Sequence, residues 1–195
     1  MQRSLVGSEM CIRDRYMAIH PGKMLDFMGN EFGQLREYDE SREQDWLLLD
    51  YPIHEAFANY RRTLNELYRK YDAFWSGEYN PDHFLWLDCD HPELDACAIL
   101  RKGQEATVFA AFNFGDTELK DYELTLPGKG KITPLLNSDW NCFGGRTARP
   151  KALRSKTTTG SVKLTLAPYS AQLYRFEPAV EKETKATPHN SRLTA

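Results

Sequence analysis

A glycine-flanked carboxylate follows an apolar run near the start of the chain. His20–Gln34 reads HPGKMLDFMGNEFGQ, in which the apolar run comes directly before Gly29, Asn30 and Glu31. In parallel α/β folds, catalytic and binding groups lie just past the carboxyl ends of the strands. Glu31 is therefore a candidate for binding or catalysis. The alternative is a solvated glutamate in an ordinary turn.

A second candidate pair lies downstream in the same polar stretch. Asp45 and Trp46 are adjacent, so a ligand ring could stack on the indole while the carboxylate accepts a hydrogen bond. The alternative is that Trp46 only anchors its loop. Arg36 is expected to pair with a carboxylate of this loop, as surface charges usually do.

A strand, a loop and a helix must position these side chains. The apolar pattern predicts a buried strand over Lys23–Met28, followed by a long polar loop over 29–50. A loop of that length in a compact domain is usually functional. Pro52 suits a helix start, and Ser76-Gly77 suits its end. The helix carries an apolar stripe at spacings of three and four, made by Phe57, Tyr60, Leu64, Leu67, Tyr71 and Phe74.

From Phe84 onward the period of the apolar residues shifts from 3.6 to 2. Short alternating segments separated by Gly, Pro, Asn and Asp are typical of an antiparallel β-sandwich. The predicted strands are Phe84–Leu87, Ala96–Arg101, Ala106–Phe112, Tyr122–Leu126, Ile132–Leu136, Ser161–Leu166 and Gln172–Phe176.

Composition narrows the class of protein. The 195 residues are 41% hydrophobic and 27% charged, as in ordinary globular proteins, and the net charge of −3 argues against nucleic acid or an anionic membrane as partner. No apolar stretch reaches the length of a spanning helix. The four cysteines lack disulfide-like or zinc-like spacing, so we expect reduced thiols in a cytoplasmic protein, with no metal site. A glycine-rich phosphate loop is absent, and no cofactor is predicted.

These motifs carry a family resemblance. FMGNEFGQ at residues 27–34, Arg36-Glu37-Tyr38 and the Asp45-Trp46 pair resemble the C-terminal portion of the 1,4-α-glucan (glycogen) branching enzymes, of the α-amylase superfamily. The similarity runs from about Tyr16 to Glu177. It implies the last strand and helix of a (β/α)8 barrel over 16–82, followed by an all-β antiparallel sandwich over 83–177.

The resemblance also has departures from the family pattern. Asp26 stands where many members carry Leu, and a carboxylate inside a barrel strand needs a polar surrounding or a hydrogen-bond partner. Tyr38 stands where Trp is usual. In the sandwich, Asn137–Trp140 and Gly144-Gly145 resemble a family segment that lies either near the glucan path or in a long hairpin connection.

The resemblance implies a transferase that cuts an α-1,4 glucan and makes an α-1,6 branch. Its retaining mechanism needs a nucleophilic Asp and an acid–base Glu about 5 Å apart, helped by a further Asp in a His-Asp-Glu motif. His-Asp-Glu is absent from this sequence. We therefore assign no catalytic residue here and expect the chain alone to be inactive.

What remains by resemblance is the rim of an active site. Asn30, Glu31, Asp45 and Trp46 are predicted there, with Glu31 bracing the loops or accepting hydrogen bonds from a bound glucan, and Asn30 capping its turn or bonding a sugar hydroxyl. The expected partners are an α-1,4-glucan and the N-terminal part of the same barrel. Two alternatives stay open, a non-catalytic glucan-binding or structural β-sandwich module and a related hydrolase such as a trehalohydrolase.

Both ends of the chain are expected to lie outside the fold. Leu5–Asp14 can be back-translated as a transposase-based sequencing adapter read in one frame, so residues 1–15 are predicted to be a foreign leader. Residues 178–195 are polar and are predicted to be a disordered tail. Without the rest of the barrel, the apolar helix face would stay partly exposed unless it folds back on the sandwich.

Overall fold

A computed structural model of the chain describes residues 9–179. It contains two α-helices followed by eight strands, joined by several short 3-10 turns. The helices are α1 (Glu9–Ile19) and α2 (Pro52–Lys70); the strands are β1 (Phe84–Asp88), β2 (Ala96–Lys102), β3 (Thr107–Asn113), β4 (Leu119–Thr125), β5 (Gly130–Asn137), β6 (Lys156–Thr158), β7 (Ser161–Leu166) and β8 (Ser170–Pro178).

All strand pairs among these residues are antiparallel. Six strands form one sheet in the order β1-β2-β3-β8-β5-β6, and β4 pairs with β7 in a second sheet. The predicted antiparallel sandwich is confirmed, and each predicted strand overlaps an observed one. One observed strand, β6, was not predicted, because its three residues are too few to show a period of 2. At the opposite edge, the register of β1 shifts between Trp86 and Asp88.

The core between the sheets follows from the alternation of side chains. Ala98 and Leu100 of β2 lie opposite Ala111 and Phe109 of β3, and all four point to the smaller sheet. There they pack against apolar side chains of β4 and β7, including the fully buried Leu166. The other face of the large sheet is equally apolar and is covered by helices.

Helix α1 lies on that second face, and α2 packs against α1 and the turn at Asn141–Phe143. The α2 stripe residues Phe57, Tyr60 and Leu64 are at most 1% exposed and belong to the same apolar cluster as Val108 and Leu173 of the sheet. The predicted face is therefore buried in this cluster, against α1 and the connection between β5 and β6. The resulting order of layers is helices, six-stranded sheet and two-stranded sheet.

The boundary predicted at residue 15 falls inside α1. Cys11 and Ile12 are buried in the same cluster as α2, and the buried Arg15 donates hydrogen bonds to the carbonyl oxygens of Leu136 and Ala171. The expectation that residues 1–15 stay outside the fold is wrong for residues 9–15. The predicted tail lies outside the described residues from 180 onward, and β8 extends to Pro178.

The strand predicted over Lys23–Met28 is also wrong. This segment has no regular secondary structure, and Leu25 and Phe27 are 77% and 60% exposed. A parallel barrel strand receives its hydrogen bonds and its burial from neighbours on both sides. None of the eight described strands pairs with this segment.

Helix α2 ends earlier than predicted, and the chain then bends toward the β2–β3 hairpin. A 3-10 turn at Asp72–Phe74 follows, in which Phe74 stays buried. The Asp72 carboxylate accepts hydrogen bonds from the backbone N–H groups of Gln104, Glu105 and Ala106. These three hydrogen bonds, which we call the Asp72 clasp, join the end of the helical segment to the sandwich.

Candidate functional site

Glu31 lies in a tight turn that its own side chain stabilises. The 3-10 turn Asn30–Phe32 is flanked by Gly29 and Gly33, whose φ values of 93° and 71° favour glycine. The Glu31 carboxylate accepts a hydrogen bond from the Gly29 N–H at 2.9 Å. The bracing role expected of Glu31 is thus local, within the turn itself.

The same turn is fixed to α2 through Phe32. Its carbonyl oxygen lies 2.8 Å from Nδ1 of His54, and its buried ring lies 4.9 Å from the ring of Trp46. Asn30 does not cap the turn with its side chain; its Oδ1 atom instead accepts from Arg13 at 3.5 Å.

Asp45 is held by Arg36. The guanidinium donates from Nε to Oδ2 at 3.2 Å and from Nη2 to Oδ1 at 2.9 Å, which makes a two-point ion pair. This pairing holds the pKa of Asp45 below its ordinary value, and it raises the pKa of Arg36. The predicted pairing of Arg36 with a loop carboxylate is confirmed, and the Asp45 carboxylate already has a partner inside the loop.

Glu31 and Trp46 face a common cleft of about 640 Å³. Phe32 and Leu49 line the same side, and the half-exposed Trp46 ring forms part of its wall. Asn30 and Asp45 are not among the lining residues. The structure therefore brings together two of the four predicted rim residues. The opposite wall is the polar face of α2, which supplies Arg61, Arg62, Asn65, Tyr68 and Arg69.

These α2 residues lie outside the predicted apolar stripe. Arg61 is in fact buried, and it pairs with Asp26 and, at 3.2 Å, with Asp14. The partner required for Asp26 is thus Arg61. Burial raises the pKa of Asp14 to about 6, against the opposing charges of Arg61 and Arg13. Helical spacing alone gave no signal that an arginine on this face would be enclosed.

The cleft combines aromatic, polar and charged side chains. Glu31 is the carboxylate among its described lining residues, and the other charged groups there are guanidinium groups. Retaining glycoside chemistry requires two carboxylates on either side of the bond that is cut. The arrangement instead offers an indole face, hydrogen-bond donors from arginine, and acceptors on Glu31, Asn65 and Tyr68.

The second candidate segment, Asn137–Trp140, is a hairpin connection packed against α2. The Asp139 carboxylate accepts from the backbone N–H of Arg146 and from the Thr147 hydroxyl, and Trp140 is 3% exposed. A Cβ atom at Gly145 would overlap the Asp139 backbone, so the tight turn requires glycine there. These contacts support the structural interpretation of the segment.

Comparison with known proteins finds a domain model and several relatives that are similar to this chain. Residues 86–177 match the family described as alpha amylase, C-terminal all-beta domain. The chain is 40% identical over 131 residues to the 1,4-alpha-glucan branching enzyme GlgB of Nocardia farcinica. It is 36% identical over 132 residues to the GlgB of Halothermothrix orenii. Over these residues the chain is similar to bacterial 1,4-alpha-glucan branching enzymes.

The matched region is a small share of the curated relatives. It covers 67% of this chain but 18% of the Nocardia protein and 21% of the Halothermothrix protein. Among solved structures, an isomaltulose synthase from Erwinia rhapontici NX5 overlaps with a TM-score of 0.42 and 18% identity. That overlap covers 63% of this chain and 18% of the synthase, and it is too distant to bear on function.

The family match concerns the C-terminal all-β domain and not the catalytic groups. The His-Asp-Glu motif that the resemblance implies for catalysis does not occur in the 195 residues. In the described part of the chain, neither helix has the length and apolarity that crossing a membrane requires.

Proposed function

We propose that this chain is the non-catalytic C-terminal part of a cytoplasmic 1,4-α-glucan branching enzyme. The whole enzyme would cut an α-1,4-glucan and transfer the released chain to a 6-hydroxyl. The observation that carries the proposal is the joining, in one chain, of the FMGNEFGQ segment with an alpha-amylase C-terminal all-beta domain. The similarity to curated branching enzymes extends over 131 residues and supports it.

Within that enzyme, Glu31 and Trp46 would form part of the rim that contacts the glucan. They share one cleft, where the half-exposed indole offers a flat face to a pyranose ring. Asn30 and Asp45 would act behind them: Asp45 holds the loop through Arg36, and Asn30 lies in the turn that carries Glu31.

The remainder of the barrel is the proposed partner of the segment between α1 and α2. Leu25, Phe27, Leu35 and Leu47 are 60–77% exposed, which is unusual for side chains of this size so close together in sequence. In the whole protein we expect these side chains to pack against neighbouring barrel strands and helices.

An activity assay on the isolated chain tests the proposal that it carries no catalytic residue. Purified chain is incubated with amylose, and branching is followed by the loss of iodine stain, with a complete branching enzyme as the positive control. We expect no change in the iodine stain, because neither the nucleophilic Asp nor the acid–base Glu is assigned to this chain. Branching by the isolated chain would refute this reading.

We further propose that residues 5–15 are translated adapter sequence. The support is that Leu5–Asp14 can be back-translated as adapter sequence in one frame. The contacts made by α1 do not bear on this, because foreign residues can also pack. Genomic reads upstream of the Tyr16 codon test the proposal. A continuous barrel-coding sequence with His-Asp-Glu would support it, and a native codon series matching Leu5–Asp14 would refute it.

A non-catalytic glucan-binding module is the second candidate function. The observation that favours it is the exposure of aromatic rings on the sandwich, since Trp86 and Phe114 are 39% and 42% exposed. The third reading, a related hydrolase, has less support, since the relatives found are branching enzymes.

A further inference from the structure

Two cysteines flank the connection between β1 and β2. Cys89 directly follows β1, and Cys97 is the second residue of β2, with seven residues between them. Both thiols are free, and Cys89 is exposed while Cys97 is partly buried. Both cysteines lie in the region that matches the all-β domain, so neither belongs to the predicted foreign leader.

The pairing of β1 with β2 brings the two cysteine positions together. The strands are antiparallel, and after the register shift in β1 their last pair is Asp88 with Ala98. One further step along each strand sets Cys89 opposite Cys97, whereas the register before the shift would set Cys89 opposite Ala96. Directly opposed residues of antiparallel strands have Cα atoms about 4.5–5.5 Å apart, within the range of about 4.4–6.8 Å that a disulfide spans.

Alternation along the strands assigns both side chains to one face of the large sheet. Ala98 packs in the core toward the smaller sheet, and the Asp88 carboxylate opposite it accepts a hydrogen bond from the Tyr122 hydroxyl of β4. The next residue of each strand points to the other face. Cys97 does pack against the apolar cluster of that other face, and the same alternation directs Cys89 there.

The ionisation of the two thiols reflects their common surroundings. Burial raises the pKa of Cys97 to about 11, with further contributions from the charges of Asp88 and Cys89. Desolvation and the Asp90 carboxylate raise the pKa of Cys89, and Asp88 adds to the effect. The two thiols therefore share Asp88 as a neighbour and lie within electrostatic reach of each other. Because a thiolate is the reacting form, both thiols react slowly at neutral pH.

The connection between the cysteines is held at both ends in the reduced protein. Oδ1 of Asp88 lies 2.9 Å from Nδ1 of His91 and accepts from the backbone N–H of Asp90 at 3.4 Å. At the far end, the carbonyl oxygen of Asp95 accepts from the backbone N–H of Phe114 at 2.8 Å. A bond between the cysteines would thus require little further ordering of the chain.

We propose that Cys89 and Cys97 form a reversible disulfide, which makes the connection between β1 and β2 a redox-sensitive site. In a reducing compartment the pair rests as two thiols. Oxidation would join the edge strand β1 covalently to β2. Since Cys89 is exposed, small thiols can reach the bond and reverse it. The inference does not depend on the substrate of the whole enzyme.

The oxidant in this proposal is a low-molecular-weight disulfide. The Cys89 thiolate attacks one sulfur of the oxidant, which releases one thiol and leaves a mixed disulfide. The Cys97 thiolate then attacks Sγ of Cys89 and releases the second thiol. Two protein thiols are oxidised to one disulfide, the oxidant is reduced to two thiols, and the protons of the protein thiols pass to the released thiolates.

The test equilibrates the full chain with oxidised glutathione at about pH 8, where more thiolate is present, and then alkylates the remaining thiols. Trypsin and Glu-C digestion follows, and mass spectrometry should find the peptide of Cys89 joined to that of Cys97, because Glu-C cuts after Glu93. Reduction should separate the two peptides. Cys89→Ser and Cys97→Ser should each abolish the joined product. Cys142→Ser, at an exposed cysteine outside the connection, is the matched control and should retain it.

Thermal unfolding provides a second measurement. Oxidation should raise the midpoint of the parent by about 5 °C, since it closes a short loop in a chain of this size, and it should not shift Cys89→Ser. If Cys97→Ser fails to fold, Cys89→Ser decides, because its side chain is exposed. A glutathione adduct on Cys89 that leaves the Cys97 thiol free at equilibrium would overturn the proposal. Bonds from either cysteine to Cys142 or to a second molecule, in place of the joined product, would also overturn it.

Discussion

Removing the Asp72 carboxylate should loosen the join between the helical segment and the sandwich. The carboxylate accepts from three successive backbone N–H groups of the β2–β3 hairpin, two of them at 3.0 Å. A hydrogen bond to a charged group is worth about 1.5–3 kcal/mol when water cannot replace it. Gln104 and Glu105 are exposed, so water recovers much of that. We expect Asp72→Ala to cost about 2 kcal/mol, and Asp72→Asn about half as much because one acceptor oxygen remains.

The stabilisation that Asp72 provides should depend on pH. Burial alone would raise the pKa of Asp72, but the N–H groups of Glu105, Gln104 and Ala106 outweigh burial and lower it. A lowered folded-state pKa contributes stability above the unfolded value of about 3.9, and that stability is lost as pH falls through the folded value. The difference between parent and Asp72→Ala should therefore be full at pH 7 and shrink below about pH 4.

Gly103 provides a second, independent check on the clasp. A Cβ atom there would overlap the Asp72 carboxylate, so Gly103→Ala should destabilise the parent but cost much less in the Asp72→Ala background. Urea unfolding followed by tryptophan fluorescence measures all four members of this cycle, and Asp82→Asn at an exposed position is the matched control. A loss below about 0.5 kcal/mol in Asp72→Ala, or equal Gly103→Ala costs in both backgrounds, would refute the clasp.

Two further predictions concern the helical layer. The pKa of Asp14 is raised from 3.8 to about 6, so its contribution to stability is full at low pH and is lost as the pH rises. The urea midpoint of the parent should therefore decrease as the pH is raised from about 4 to 7. Asp14→Asn should make the midpoint depend less on pH. A steeper slope in the variant would contradict the assignment. Limited trypsin digestion should cut first within residues 23–42, where the chain has little regular structure, and later within the sheet. A first cut between β2 and β3 would show that the sandwich is the less stable part.

The sandwich is predictable because its signal is local. Alternation of apolar and polar residues encodes which face of a strand is buried, and in β2 and β3 both faces are covered, so the runs become continuously apolar. The positions of the turns follow from Gly, Pro, Asn and Asp. A three-residue strand such as β6 carries too few residues to show any period.

The helical segment is less predictable because its structure depends on partners. Lys23–Met28 has the composition of a barrel strand, but a strand needs neighbours to bond with, and none of the described strands provides them. The end of α2 was expected too late because the stripe continues through Phe74, which stays buried in a 3-10 turn after the helix has ended. Periodicity records which face is buried and does not distinguish the two kinds of helix.

The candidate site was predicted in part for the same reason. Glu31 and Trp46 could be placed together from motif and chemistry, and the structure puts both on one cleft. The buried pairing of Arg61 with Asp26 spans 35 positions, and the contacts of Asn113 reach residues more than 50 positions away. Such pairs leave no mark in local spacing, so the sequence gives no sign that Arg61 is buried.

The register shift in β1 has a consequence for how copies of this molecule meet. The strand lies at the rim of the six-stranded sheet, with Leu85 and Trp86 partly exposed, and its hydrogen-bonding groups face outward. A second molecule that paired along it would fall out of register after Trp86, because the backbone shifts there before Asp88. The shift therefore disfavours edge-to-edge pairing of two sheets along this strand.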